Sequence, residues 1–335
     1  MDRPDPRATA SAARLSVAPM MDWTDRHCRA FHRVLSRRVL LYTEMVTAAA
    51  LVRGGAVHLL EFGAAEHPVA LQLGGADPGE VGAATAMGVE RGYAEVNLNI
   101  GCPSDRVAAG CFGAVLMERP ALVAEIVSTM VGAAGPVPVT VKCRIGVDEQ
   151  DPASVLPDLI ARVRDAGAAR VSVHARKAWL QGLSPKENRE VPPLDHALVH
   201  AMKARFPDLH LSINGGISGL DAAEDHLRRV DGVMVGRAAY HDPAGILLHA
   251  DSRIFGARDP CADAAQAALR MAPYIRDHVA AGGRAGQVTR HMLGLFAGRP
   301  GARGWRRVLS ERTNRRGTGA EVLDEALAQV IPQAA

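Results

Sequence analysis

Residues 95–103, Glu95-Val96-Asn97-Leu98-Asn99-Ile100-Gly101-Cys102-Pro103, decide how the rest of the chain is read. Val96, Leu98 and Ile100 fall on one side of the segment and Asn97 and Asn99 on the other, the two-residue period of a β-strand. Gly101 and Pro103 then break the strand and fix a turn around Cys102. A thiol just past a strand end is where a barrel enzyme holds its chemistry. A buried, inert thiol is nevertheless the commoner state of a cysteine outside disulfides, so these residues alone leave both roles open.

Worked outward, the same reading predicts eight short strands, each followed by a helical stretch. The strands are expected over 15–20, 40–46, 69–74, 95–100, 137–145, 170–175, 209–214 and 232–235. Ala- and Leu-rich stretches over 78–91, 121–131, 153–166, 195–205 and 219–229 supply helices between them. Eight such units over about 240 residues predict an α/β fold, a (β/α)8 TIM barrel, with its active site at the C-terminal strand ends. No Gly-x-Gly-x-x-Gly follows a strand and no Gly-x-x-x-x-Gly-Lys occurs, so Rossmann and P-loop readings lack their main support. Past about Ile246 the strand pattern stops, and helices are expected over 264–275, 286–295, 302–311 and 321–330. The expected organisation is a loose tail over 1–13, a barrel over 14–245 and an all-α helical bundle over 246–335.

The strand ends become the list of candidates. Pro19, Met20 and Met21 follow the first strand, Gln72 lies in the third, and Asn99 and Cys102 end the fourth. Lys142 and Arg144 lie on the fifth strand, His174 and Arg176 at the sixth. Each has a plainer explanation: Gln72 can satisfy backbone groups, His174 can be a hydrogen-bonded core histidine, Lys142 can be half of a structural ion pair. Lysine is scarce, however, with only four among the 39 Lys and Arg residues, which gives Lys142 weight. Asn214-Gly215-Gly216 follows the seventh strand and Gly236-Arg237 the eighth, the two loops that form a barrel's usual phosphate site. Glycine lets backbone N–H groups approach an anion, and Arg237 adds charge-assisted bonds.

Composition narrows the class. The 335 residues are 48% hydrophobic with a net charge of +3, and no apolar run approaches the roughly 18 residues of a membrane span. Residues 1–13 carry charge and proline but no apolar core, so a cytoplasmic protein is expected. Five cysteines without a Cys-x-x-Cys pair argue against a disulfide framework and against a zinc or iron–sulfur site. Charge is uneven: Arg284 to Arg316 holds nine arginines against one acid, Glu311, and Arg303, Arg306 and Arg307 share one helical face. A solvated basic face is the usual explanation; beside an enzyme core it suggests a polyanionic partner.

Taken in order, these stretches resemble the tRNA-dihydrouridine synthases. The matching segments are Ala18-Pro19-Met20, Leu71-Gln72-Leu73, Asn97 to Pro103, Val141 to Gly146, Val173-His174-Ala175-Arg176, Asn214-Gly215-Gly216 and Gly236-Arg237. Gly182 to Glu190, Arg290 to Phe296 and Gly301 to Arg307 are similar to the A subfamily. The resemblance implies FMN held by Pro19, Met20, Met21, Gln72, Lys142, His174, Asn214, Gly215, Gly216, Gly236 and Arg237, with NADPH as external reductant. It implies reduction of the uridine C5=C6 bond in the tRNA D-loop, at positions 20 and 20a, by hydride from FMN to C6 and a proton from Cys102 to C5. A thiol of ordinary pKa, about 8.5, is mostly protonated at neutral pH and suits a general acid. Lys142 and His174 are expected beside the flavin's pyrimidine edge, and Asn99, Lys186, Arg189, Arg303 and Arg306 against the tRNA. Cys111, in the same loop as Cys102, is the competing thiol. The main rival is a flavin-barrel reductase of a small molecule, similar to dihydroorotate dehydrogenases, which leaves the arginine-rich helices unexplained.

Overall fold

The computed structural model describes residues 6–103, 112–313 and 317–330. Eight strands, β1 (Leu15–Val17), β2 (Leu40–Thr47), β3 (Val69–Gly74), β4 (Glu95–Asn99), β5 (Val139–Arg144), β6 (Arg170–His174), β7 (His210–Asn214) and β8 (Gly232–Val235), pair in sequence order. Every pair is parallel, and β1 closes on β8 through Leu15↔Val233 and Val17↔Val235. The expected barrel is therefore present.

Alternation along the strands sorts side chains into two layers. Val96, Leu98 and Ile100 are fully buried in a core that also takes in Val123, Ile126 and Val127 from helix Pro120–Ala134. The opposite face of β4, Glu95, Asn97 and Asn99, points into the barrel and bonds across to β3 and β5. The helices begin where capping predicts. Asp77 and Asp195 accept N–H groups of Glu80 and Leu198, and Pro78, Pro120 and Pro152 stand in first turns where a missing N–H costs nothing.

Several boundaries differ from expectation, each for a stated reason. β1 stops at Val17: Ala18 N–H still reaches Val235 O at 2.8 Å, but Pro19 has no donor and Met20 N–H turns to Thr24 Oγ1 at 3.0 Å. β5 begins at Val139, because Pro138 has no N–H to give the ladder. The loose tail expected over 1–13 contains a helix, Pro6–Ala12, that closes the barrel floor. Thr9, Ala12 and Ala13 are buried, and Thr9 Oγ1 donates to Ala94 O at 3.3 Å. Only glycine at 232 admits this segment, since a Cβ there would stand 2.4 Å from Ala13 O.

Beyond β8 all regular structure among the described residues is helical. The helix expected over 264–275 is two, Ala264–Arg270 and Ala272–Ala280, with Met271 between them and Pro273 in the second one's first turn. The one expected over 286–295 stops at Thr289. There the backbone of Gly294 comes so close to His241 that a Cβ would lie 2.4 Å from its carbonyl, and Met292 O is taken by Trp305 Nε1 at 2.9 Å. Helices Ala302–Arg312 and Val322–Leu327 stand close to where expected. No helix among the described residues is long and apolar enough to cross a membrane.

Candidate active site at the barrel mouth

The turn after β4 is held from several sides. Asn99 Oδ1 accepts the N–H groups of Gly101 (3.0 Å) and Cys102 (3.1 Å), the local bonding that lets Asn shape a turn. Arg144 Nε donates to Gly101 O at 3.1 Å, and Ala114 N–H donates to Cys102 O at 2.9 Å. On its other side Asn99 Nδ2 donates to Gln72 Oε1 at 2.9 Å, while Gln72 Nε2 donates to Asn97 Oδ1 at 2.8 Å. The amide of Asn99, expected to meet the target nucleotide, is thus engaged inside the protein through both atoms, with one Nδ2 hydrogen left over.

Beside this turn stand cations for which no ion pair is formed among the described residues. Lys142 pairs in register with Asn99, and burial followed by the neighbouring Arg144 pushes its pKa down to about 8. Burial likewise pushes Arg144 down to about 10. His174, on β6, is held well below the usual imidazole range by burial and then by Arg144 and Lys142, so it is neutral. Its buried Nδ1 meets no hydrogen-bond partner among the described residues. No carboxylate is among the charges that act most on any of the three.

The loops after β7 and β8 complete the rim. Gly215 and Gly216 adopt φ of +107° and +75°, and a Cβ on Gly216 would lie 2.5 Å from Leu194 Cδ1. The positive φ and the close approach both require glycine here. Asn214 Nδ2 donates to Met234 O at 2.7 Å and ties the two strand ends together. Arg237 opens helix Arg237–His241, and its guanidinium meets Glu190 Oε1 at 2.5 Å and Arg189 O at 3.3 Å. Met20 is half-buried beneath the rim and Met21 is exposed.

Known proteins supply the decisive comparison. The family described as "Dihydrouridine synthase (Dus)" matches residues 16–331. The chain belongs to the dihydrouridine synthase family. It is 50% identical to the tRNA-dihydrouridine(20/20a) synthase of Vibrio vulnificus (strain CMCP6), covering 96% of this chain and 98% of that one. It is 53% identical to the Escherichia coli (strain K12) protein of the same name, covering 94% and 91%. Two solved structures share the fold at far lower identity. Morphinone reductase in complex with tetrahydroNAD is 13% identical, with a TM-score of 0.50 over 73% of this chain and 87% of that one. The old yellow enzyme homologue of Zymomonas mobilis is 12% identical, with a TM-score of 0.52 over 69% and 86%.

Membership makes this chain a flavin-dependent oxidoreductase acting on uridine in tRNA, and the small-molecule rival is not favoured. Around that centre, family-like residues lie in several groups. Lys186 and Arg189 are exposed on the loop after β6, and Arg303 and Arg306 are exposed on helix Ala302–Arg312 with Trp305 buried behind them. Cys111 lies outside the described residues.

Two connections were not foreseen. Arg144 Nη1 donates to Lys177 O (2.9 Å) and Asn188 O (2.8 Å), so one guanidinium joins the Cys102 turn to the loop bearing Lys186 and Arg189. Asn188, fully buried, closes that loop by accepting Trp179 N–H and donating to Trp179 O and Leu183 O. The second is the seam between the loop after β1 and the C-terminal helices. Arg290 Nη2 meets Asp25 Oδ2 at 2.7 Å and His291 Nε2 meets Asp25 Oδ1 at 3.0 Å. Burial pushes the Asp25 carboxyl up, but His291, the Cys28 N–H and Arg290 together outweigh it and hold the group well below the usual carboxylate range.

Proposed function

We propose that this chain reduces uridines 20 and 20a of the tRNA D-loop to 5,6-dihydrouridine, using FMN in the barrel mouth, NADPH as reductant and Cys102 as proton donor to C5. One observation carries the reading. A chain about half identical to 20/20a synthases over nearly its whole length presents Cys102 on a turn pinned by Asn99 and Arg144, beside Lys142 and His174.

The residues at the mouth fit a flavin mononucleotide. Among the described residues His174 Nδ1 is a buried polar atom in want of a partner and Lys142 is a cation with no ion pair, while Gly236, where an added Cβ would meet nothing closer than 3.8 Å, leaves the rim after β8 open. Lys142 and His174 would hold the ring's polar edge together with Gln72. Pro19, Met20 and Met21 would line it, and Asn214, Gly215, Gly216, Gly236 and Arg237 would take the phosphate. When bound, FMN supplies the hydride that reaches uracil C6.

The protein's own share is positioning and proton transfer. Cys102 carries the proton for C5, and Asn99 fixes the turn from which it is delivered. Lys142 brings positive charge to a site whose reaction develops negative charge. A base stacked in RNA cannot reach this depth, so the target nucleotide must be extruded. Lys186 and Arg189 on one side, and Arg303 and Arg306 on helix Ala302–Arg312, would hold the tRNA backbone while that happens.

The test is purified protein with FMN, NADPH and tRNA lacking dihydrouridine, followed by site mapping. Product at 20 and 20a is expected, and flavin released by acid should be FMN. Product confined to other positions, or none with loaded protein, overturns the reading.

A further inference from the structure

The turn that carries Cys102 is connected to the barrel floor by an unbroken line of buried hydrogen bonds. At the bottom, Glu95 is ion-paired with Arg170 and accepts the Tyr42 hydroxyl at 2.6 Å. Thr140 Oγ1 donates to the same Glu95 oxygen at 2.5 Å. Asn97 Nδ2 donates to Thr140 Oγ1 (2.8 Å), Gln72 Nε2 to Asn97 Oδ1 (2.8 Å), and Asn99 Nδ2 to Gln72 Oε1 (2.9 Å). Asn99 Oδ1 then receives the two N–H groups of Gly101 and Cys102. Strand register makes the line possible, because Gln72, Asn97 and Thr140 are neighbours across β3, β4 and β5.

Both ends dictate its polarity. A carboxylate paired with arginine can only accept, so Thr140 spends its single proton downward and must accept from above. Each amide is thereby left with its oxygen facing up the line. Backbone N–H groups can only donate, so the upper end requires the same sense. The five side chains are 0 to 8% exposed, which leaves no bulk water to satisfy an inverted amide. Were the Thr140 proton lost, Asn97 could turn over, and Gln72 and Asn99 after it. Asn99 would then set an NH2 against two N–H groups and release the turn.

We propose that Thr140 and Glu95 are positioning residues for Cys102, acting over roughly 13 Å of strand by fixing which way the Asn97, Gln72 and Asn99 amides face. This rests on Cys102 being the proton donor. The same polarity leaves one N–H on Gln72 and one on Asn99 as the donors these amides can still offer a ligand.

Thr140→Val removes the proton while preserving shape and the Glu95–Arg170 pair. It should lower kcat per bound FMN at least tenfold with KM for tRNA within about twofold of wild type, rates being taken per bound FMN because a turned Gln72 also changes the N–H it can offer the flavin. Hydrogen exchange at the Gly101 and Cys102 amides should accelerate by a similar factor. Thr140→Ser should restore both readouts, and Tyr42→Phe, which removes a donor to Glu95 outside the line, should leave both unchanged. Thr140→Ala serves if the valine variant folds poorly. Wild-type kcat and exchange in Thr140→Val, with Cys102→Ala inactive, overturns the proposal and spares the thiol's role. Accelerated exchange in Thr140→Val, with Cys102→Ala fully active, supports the line and overturns the thiol's role instead.

Discussion

Floor and mouth of the same barrel treat buried charge in opposite ways. At the floor, Arg170 and Glu95 face each other with Tyr42 and Thr140 bonded to the same carboxylate. Burial alone would lower the Arg170 pKa, but Glu95 outweighs it and holds the guanidinium above its ordinary range. At the mouth, Lys142, Arg144 and His174 are all pushed down, because burial, joined by repulsion from neighbouring cations, outweighs the opposing influence of nearby cysteines on Lys142 and Arg144. One end is an electrostatically closed structure. The other gathers cations that no carboxylate among the described residues offsets, as a site meant for an anionic ligand would, and that is the difference between a support and the proposed site.

The largest expected effect comes from removing the thiol proposed to donate the proton. Cys102→Ala should lower dihydrouridine formation by about 10²- to 10⁴-fold, the usual range for a general acid. FMN content, tRNA affinity and flavin reduction by NADPH should survive. Rate measurements on Cys102→Ala and Cys111→Ala decide between the thiols: loss in the second variant and not the first would transfer the role.

The contrast between floor and mouth predicts opposite stability effects from superficially similar changes. Arg170→Met leaves Glu95 buried and unpaired, and should cost about 3–5 kcal/mol in chemical denaturation. Lys142→Met removes a cation that has no ion-pair partner among the described residues. In cofactor-free protein it should be neutral or stabilising while FMN affinity falls. Equal destabilisation by both would show that the mouth is as internally compensated as the floor.

How much of this was legible from residues alone divides along the same line. The alternation of Val96, Leu98 and Ile100 against Asn97 and Asn99 revealed β4 and the mouth, and Gly215, Gly216 and Gly236 marked the rim, because these signals are local in the chain. What holds the mouth together is not local. Arg144 was visible at a strand end, but its partners are carbonyl oxygens of Gly101, Lys177 and Asn188, which leave no side-chain pattern. The Arg237–Glu190 pair spans 47 residues, and Glu190 carries nothing that distinguishes it from a solvated acid. The helix over Pro6–Ala12 was read as a tail because its burial depends on a space at Gly232 more than two hundred residues away.

A pH titration sharpens the comparison at a single residue. Lys142 has a folded pKa of about 8, below its ordinary 10.5, so folding weakens its hold on the proton and releases it only between those two values. The cost to stability is therefore fully present below about pH 8 and is relieved as pH rises toward 10.5. A bound anion acts in the other direction and raises the pKa. FMN affinity of the cofactor-free protein should be level below about pH 8 and fall by up to tenfold per pH unit above it. In Lys142→Arg the fall should be absent, since a guanidinium keeps its charge. An unchanged profile in that variant would assign the titration to another group.

The smallest effect concerns cations that are neither compensated nor buried. Arg303 and Arg306 are exposed on helix Ala302–Arg312, and among the described residues neither forms an ion pair. Buried Trp305 anchors the opposite side of the helix, so both arginines can be replaced without opening the core. If they contact tRNA phosphates, the double change to alanine should make the slope of log affinity against log salt shallower by about one to two units. NADPH oxidation by the loaded protein should stay normal, because the mouth is untouched. Identical tRNA affinity and salt slope in a folded double variant would make this face a solvated surface. The tRNA backbone would then be held by the loop bearing Lys186 and Arg189, which Arg144 ties directly to the Cys102 turn.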